Sequence, residues 1–186
     1  MIVAGVDEAG RGSLAGPVVA AAVILENHAS IPDINDSKIL SCKQRLRLED
    51  QIKNLSIDWN IASATVEEID KINILQASLL AMERAVEGLQ VEPFKVFCDG
   101  PFLPKLSMKG EAVIAGDRIM KNIMSASILA KVERDRMMIE LDKVFPLYKF
   151  NRHKGYPTKL HISALELYGP CRHHRKSFKP VTKCLS

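Results

Sequence analysis

Apolar and polar positions along the chain follow two periods. Residues 2–6 (IVAGV) and 17–25 (PVVAAAVIL) are unbroken apolar runs around a glycine-rich turn, which reads as two adjacent buried strands. Ile57, Trp59 and Ile61 alternate with polar residues as in a half-exposed strand. Between these strands, Ser41 and Gln44 stand at capping-box spacing ahead of Leu48, Ile52 and Leu55, which predicts an amphipathic helix. Thr65 with Glu68 repeats the box and starts a further short helix, and Leu75, Leu79, Met82, Val86 and Leu89 define another by their spacing. Two short strands follow, FKVFC (94–98) and AVIA (112–115). Residues 119–130 are almost wholly apolar and 131–143 densely charged, so one long helix with a buried first half and a solvated second half is expected, with a last helix near 158–168. This order describes an α/β domain built on one mixed sheet.

The chain has 186 residues, 47% of them hydrophobic, enough for a single domain, 1–186, with a continuous core. No apolar run approaches the roughly 18 residues of a membrane span, and the first residues lack a basic leader, so a soluble cytoplasmic chain is expected. Four scattered cysteines suggest reduced thiols, and Cys171, His173 and His174 read as surface polar groups. Charge is unevenly spread. Residues 148–186 carry nine Lys/Arg against one acid, whereas the preceding residues carry 17 against 21. A basic extension suits a polyphosphate partner, and its interspersed Tyr, Leu and Phe residues predict that it packs on the body.

Four acids are placed unlike the rest. Asp7 and Glu8 end the first strand, Asp99 follows FKVFC, and Asp117 follows AVIAG at the entry to the long helix. Ligands of open α/β sheets gather at strand ends, so these carboxylates can meet in one cluster. Taken singly, Asp99 before Gly100 fits an ordinary turn and Asp117 a helix cap. Together they call for a cation, because clustered carboxylates repel unless protonated or neutralised. Oxygen donors without Cys or His suit Mg²⁺ or Mn²⁺, and two such ions about 3.5–4 Å apart would serve an in-line phosphodiester displacement. Gly10, Gly12 and Gly16 miss the dinucleotide fingerprint and no phosphate-gripping loop follows, so no nucleotide cofactor is expected. Arg11 between two glycines is placed to meet a phosphate.

The ordered blocks GVDEAGRGSLAGPV, INDSKILS, NILQASLLAMERAV, CDG, AGD with SASILAKVERD, and FNRHKGYPTKLHISALELYGPCRHHRKSF resemble ribonuclease HII over nearly the whole chain. The resemblance implies an RNase H-like fold with a C-terminal helical extension, and a metal-dependent endoribonuclease. Its substrates would be RNA–DNA hybrids and duplex DNA with embedded ribonucleotides, cut on the 5′ side of the ribonucleotide to leave 3′-hydroxyl and 5′-phosphate ends. It implies metal ligands at Asp7, Glu8, Asp99 and Asp117, with two ions once substrate is bound, and recognition of the ribose 2′-hydroxyl by Gly10, Arg11, Gly12 and Tyr156. The 2′-hydroxyl is the group that tells RNA from DNA at a single position. Asp36, Ser37, Lys38, Ser127, Lys131, Lys154, His173 and Arg175 fall in other matching blocks, and substrate contacts are expected among Ser37, Lys38, Lys154 and Arg175. Asp135, in the charged half of the helix, reads as a solvated acid.

The chain departs from the family pattern at Ser13, where proline is common, at Ile39, where lysine is usual, and at Met124 and Ser125, where alanines are favoured. Its C-terminal KPVTKCLS lacks a sliding-clamp peptide, and a monomer is expected. The rivals are a ribonuclease HIII, whose extra N-terminal domain has no room ahead of Asp7, and a non-catalytic hybrid-binding module, which would need no acid cluster.

Overall fold

A computed structural model describes all residues except 27–30, 33, 35–36, 38–39 and 186. Five strands form one sheet in the order β3-β2-β1-β4-β5: β1 Val3–Ala9, β2 Val18–Leu25, β3 Ser56–Ala64, β4 Lys95–Asp99 and β5 Lys109–Val113. The β1–β2 and β2–β3 ladders are antiparallel, while β4 runs parallel to β1 and to β5. The expected mixed sheet is therefore present.

Strand alternation sorts the core into two layers. Ala4, Val6, Ala20, Ala22, Val96 and Cys98 face α2 (Val66–Glu87), where Ala77, Ala81, Met82 and Ala85 meet them. Ala9, Ala21 and Val23 face the opposite side, covered by Leu48 and Ile52 of α1 (Cys42–Leu55) and by Ala126, Ile128 and Leu129 of α4 (Lys121–Val144). Both predicted capping boxes form, at Ser41/Gln44 and Thr65/Glu68. The two helices expected after Thr65 join head to tail in α2, broken at Asn73 (φ 69°, ψ 166°), whose Oδ1 caps the second segment by accepting from the Gln76 N–H.

Two boundaries differ from expectation. β5 begins earlier than AVIA because its register with β4 runs from Lys95–Lys109 to Asp99–Val113, and Ile114 is left 78% exposed. Ala115 (φ 57°) then turns the chain into the short α3 (Gly116–Ile119). The charged half of α4 is also not uniformly solvated: Arg134, Asp135 and Met138 are buried.

Beyond α4 come a 3-10 turn (Pro146–Tyr148), α5 (Phe150–His153), α6 (Lys159–Tyr168) and α7 (Lys179–Thr182). This basic segment docks on the glycine-rich turn through an Ala15–His174 bridge and through packing of Leu165 and Val181 on Leu14. Among the described residues no helix is long and apolar enough to cross a membrane.

Candidate metal centre and cleft

β1 outruns its parallel neighbour. Its ladder with β4 stops at Val6–Cys98, whereas its ladder with β2 continues through Asp7–Ala21, Glu8–Ala20 and Ala9–Val19. Asp7 and Glu8 thus lie inside the strand rather than beyond it. Since successive side chains alternate, Asp7 shares the α4 face with Ala9, and Glu8 shares the α2 face with Val6. The same alternation sets Asp99 opposite to Val96 and Cys98, on the side of Asp7. Asp117 arrives on α3, where its backbone N–H donates to Asp99 Oδ1 (3.3 Å).

One carboxylate oxygen from each of Asp7, Asp99 and Asp117 lies within 4.8 Å of the other two. Glu8 is not one of this trio but lines the same cleft, its carboxyl in contact with that of Asp7 and its Oε1 3.3 Å from Arg11. The predicted set of four is therefore a close trio with Glu8 beside it, against Asp7 and Arg11.

Burial raises the Asp7 pKa well above the usual carboxylate range, and the charges of Glu8 and Asp99 add to this; hydrogen bonds from Ser127 and the Glu8 N–H oppose it. Burial likewise raises Glu8, with the Arg11 guanidinium working against it. The donor set fits a hard divalent cation: oxygen ligands converge, and positive charge there would offset both the burial of the Asp7 charge and the repulsion from its neighbours.

Asp7, Glu8 and Asp99 line a cleft of about 340 Å³ together with Gly10, Arg11, Gly12 and Tyr156. Ser37 is buried and pairs with Ser127 (Oγ–Oγ 2.9 Å), so Ser37 supports Asp7 through Ser127. Lys131 also lines the cleft, its Nζ 5.5 Å from the centre of the Tyr156 ring. It is held by Asp135 (2.6 Å), which lies 3.6 Å from Arg45. Asp135 is therefore a buried, ion-paired acid and not the solvated one expected.

Two fully buried arginines hold the glycine-rich turn. Arg134 donates to the carbonyls of Pro17 (3.1 Å), Ala15 (3.1 Å) and Lys154 (3.0 Å), and its guanidinium lies 5.5 Å from the Tyr156 ring centre. Arg175 donates to Gly16 (3.0 Å), Arg11 (3.0 Å) and Pro17 (3.2 Å). Burial, then the charge of Arg134, push the Arg175 pKa down to about 9. The expected phosphate contact from Arg175 gives way to a positioning role, because its donors are spent on loop carbonyls. Gly10 has φ 98°, and a Cβ there would fall 1.9 Å from Arg134 Nε, so this glycine serves the fold. A Cβ at Gly12 would meet nothing within 4 Å.

Other predicted contacts lie elsewhere. The Lys154 ammonium donates to the Asn151 carbonyl and does not line the cleft. His173 packs edge-on against Phe145 at 5.2 Å, away from the lining residues. His174, expected at the surface, is completely buried. Lys38 lies outside the described residues, as do Asp36 and Ile39. Sequence reasoning missed Arg134, although a signal exists: it continues the buried stripe Ser127, Ala130, Arg134, Met138 at helical spacing.

The chain is similar to the ribonuclease H2 of Pyrococcus horikoshii OT3, with a TM-score of 0.80, 27% identity, and 99% and 97% of the two chains covered. It also shares the fold of Bst-RNase HIII in complex with Mn²⁺ (TM-score 0.80, 16% identity), covering all of this chain and 69% of that one. A mixed sheet flanked by helices, with an acidic trio drawn from β1, β4 and α3, places the protein among RNase H-like hydrolytic nucleases. The Ribonuclease HII family profile matches residues 4–181, and the Ribonuclease HII of Burkholderia mallei (strain SAVP1) is 55% identical over 97% of this chain and 84% of its own length. The chain belongs to the ribonuclease HII family, whose members are metal-dependent endoribonucleases.

Proposed function

We propose that residues 1–186 act as one catalytic domain that cuts the phosphodiester on the 5′ side of a ribonucleotide, in RNA–DNA hybrids and in duplex DNA with embedded ribonucleotides. The products carry 3′-hydroxyl and 5′-phosphate ends. The observation that carries this reading is the convergence of Asp7, Asp99 and Asp117 oxygens within 4.8 Å, with Asp7 and Asp99 lining a cleft shared with Gly10, Arg11, Gly12 and Tyr156.

Asp7, Glu8, Asp99 and Asp117 would hold Mn²⁺ or Mg²⁺, two ions once substrate is bound. Such ions supply Lewis acidity at the phosphate and lower the pKa of a nucleophilic water. The chain itself supplies placement. Ser127 orients the Asp7 carboxylate, and Arg11 tempers the charge of Glu8 while staying half exposed toward a phosphate. The open space at Gly12 lets the backbone approach a ribose 2′-hydroxyl, and Tyr156, with Lys131 and Arg134 beside its ring, stacks on the adjoining deoxyribose. Lys131 adds positive charge at the cleft wall, and the basic residues of 148–186 extend the phosphate-binding surface.

The test is product mapping on an end-labelled duplex carrying one ribonucleotide. A single cut 5′ of the ribonucleotide, ligatable only through a 5′-phosphate, is expected. Cleavage on the 3′ side, or equal cleavage of all-DNA duplex, would refute the reading.

A further inference from the structure

Three imidazoles are buried together in the C-terminal segment, and their hydrogen bonds determine where each proton sits. The Cys171 N–H points at His174 Nδ1 (3.0 Å), so that nitrogen accepts and the His174 proton is on Nε2. His174 Nε2 lies 3.0 Å from His161 Nε2. One of the two must donate, so His161 Nε2 accepts and its proton is on Nδ1. His161 Nδ1 lies 3.0 Å from the Tyr156 carbonyl, to which it donates. The third ring, His153, stacks on His161 at 4.3 Å and 15°. It accepts the Gly155 N–H at Nδ1 (3.1 Å) and donates from Nε2 to the Tyr148 carbonyl (2.8 Å). Every ring nitrogen is paired when all three are neutral. Burial agrees, pushing the pKa values of His161 and His174 down to about 4, with the neighbouring imidazoles adding to it.

The relay therefore runs from the Cys171 N–H through His174 and His161 to the Tyr156 carbonyl. Its other end is tied to the glycine-rich turn. His174 forms a backbone bridge with Ala15, the Gly16 N–H donates to the His173 carbonyl (2.9 Å), and the Arg175 N–H donates to Leu14 (2.8 Å). One two-imidazole link thus spans the loop that carries Gly10–Gly12 and the residue that carries the rim tyrosine. Arg134 braces the same elements from the other side, through Ala15 and Lys154.

We infer that His161 and His174 are positioning residues, whose relay fixes Tyr156 against the Gly10–Gly12 loop and thereby sets the preference for an RNA-to-DNA junction. This rests on Tyr156 reading the junction, as proposed above.

The experiment measures the ratio of kcat/KM on a duplex with one ribonucleotide to kcat/KM on a hybrid with an all-RNA strand. His161→Phe keeps ring volume and removes the donor, and should lower the ratio about tenfold, the value of one hydrogen bond of ~1.4 kcal/mol. His161→Asn, whose amide nitrogen can occupy the place of Nδ1, should restore most of it, a rescue that a volume-filling role would not produce. In a Tyr156→Ala background His161→Phe should have no further effect. A folded His161→Phe with an unchanged ratio, alongside a Tyr156→Ala whose ratio collapses, would overturn this inference alone. An unchanged ratio in Tyr156→Ala would overturn the reading of Tyr156 and this inference with it. Should His161→Phe fail to fold, ¹⁵N NMR of the unaltered protein still decides: the relay requires Nδ1–H at His161 and Nε2–H at His174, and the reverse tautomers would exclude it.

Discussion

The carboxylate floor and the histidine cluster lie on either side of Tyr156 and bury titratable groups by opposite means. Around His153, His161 and His174 the protein supplies a partner for every ring nitrogen, and neutrality follows from the bonding pattern. On the floor, Asp7 is buried next to Glu8 and Asp99, and its pKa is driven up first by burial and then by the neighbouring negative charges. A buried group satisfied from within stabilises a shape, whereas one left in want of a counter-charge marks where something else binds.

The largest expected effect lies on the floor. Asp7→Asn should lower metal-dependent cleavage about 1000-fold or more, the scale of several kcal/mol of charge stabilisation. The metal-free variant should nonetheless melt higher than the unaltered protein, because a repulsive buried charge is gone. A lower melting temperature would mean that the floor is internally satisfied and the contrast with the histidines is false.

Next comes the brace between the two regions. Arg134→Met removes three donors from buried carbonyls and should cost on the order of 3 kcal/mol in chemical denaturation. An unchanged midpoint would show that the glycine-rich turn holds its shape without Arg134.

The contrast also has a sign in pH. His161 and His174 fall from an ordinary 6.5 to about 4 on folding, so between those values the unfolded chain takes up protons that the folded one refuses. Their contribution to stability is complete above about pH 6.5 and declines toward pH 4, by up to ~1.4 kcal/mol per pH unit for each ring. Asp7 works the other way: its raised pKa favours the metal-free fold at low pH, and that contribution is lost as pH rises through the shifted value. Denaturation of metal-free protein at several pH values should show a decline below pH 6.5 that is reduced in a His161→Phe/His174→Phe variant. The same decline in that variant would place the titration elsewhere.

The smallest effect concerns Ser13 and Ser125, whose buried hydroxyls have no hydrogen-bond partner among the described residues. Ser125→Ala, which restores the residue favoured in the family, should raise stability by about 1 kcal/mol in the same assay, and a loss would reveal a hidden partner.

What could be read from the chain divides along the same line. Capping boxes, the long α4 and the strands β1 to β4 follow from local period and composition, because α1, α2 and α4 each bury a face against one sheet. The acids stood out because carboxylates beside apolar runs have no local explanation. Arg175, Arg134 and His174 did not, since their burial depends on loop carbonyls and imidazoles far away in sequence. Asp135 was misread for the same reason: its partner Lys131 is local, but Arg45 comes from another helix. The start of β5 was misplaced because an edge strand is defined by pairing with β4 rather than by apolar content.

Cleavage is proposed to depend on divalent ions held by Asp99 with Asp7 and Asp117. This dependence is tested most directly by cutting a duplex with one embedded ribonucleotide in Mn²⁺, in Mg²⁺ and in EDTA, using the unaltered protein and Asp99→Asn. Cleavage is expected from the unaltered protein with metal, none in EDTA, and none from Asp99→Asn at any metal concentration despite an intact fold. Full metal-dependent activity of Asp99→Asn, or cleavage in EDTA, would contradict it.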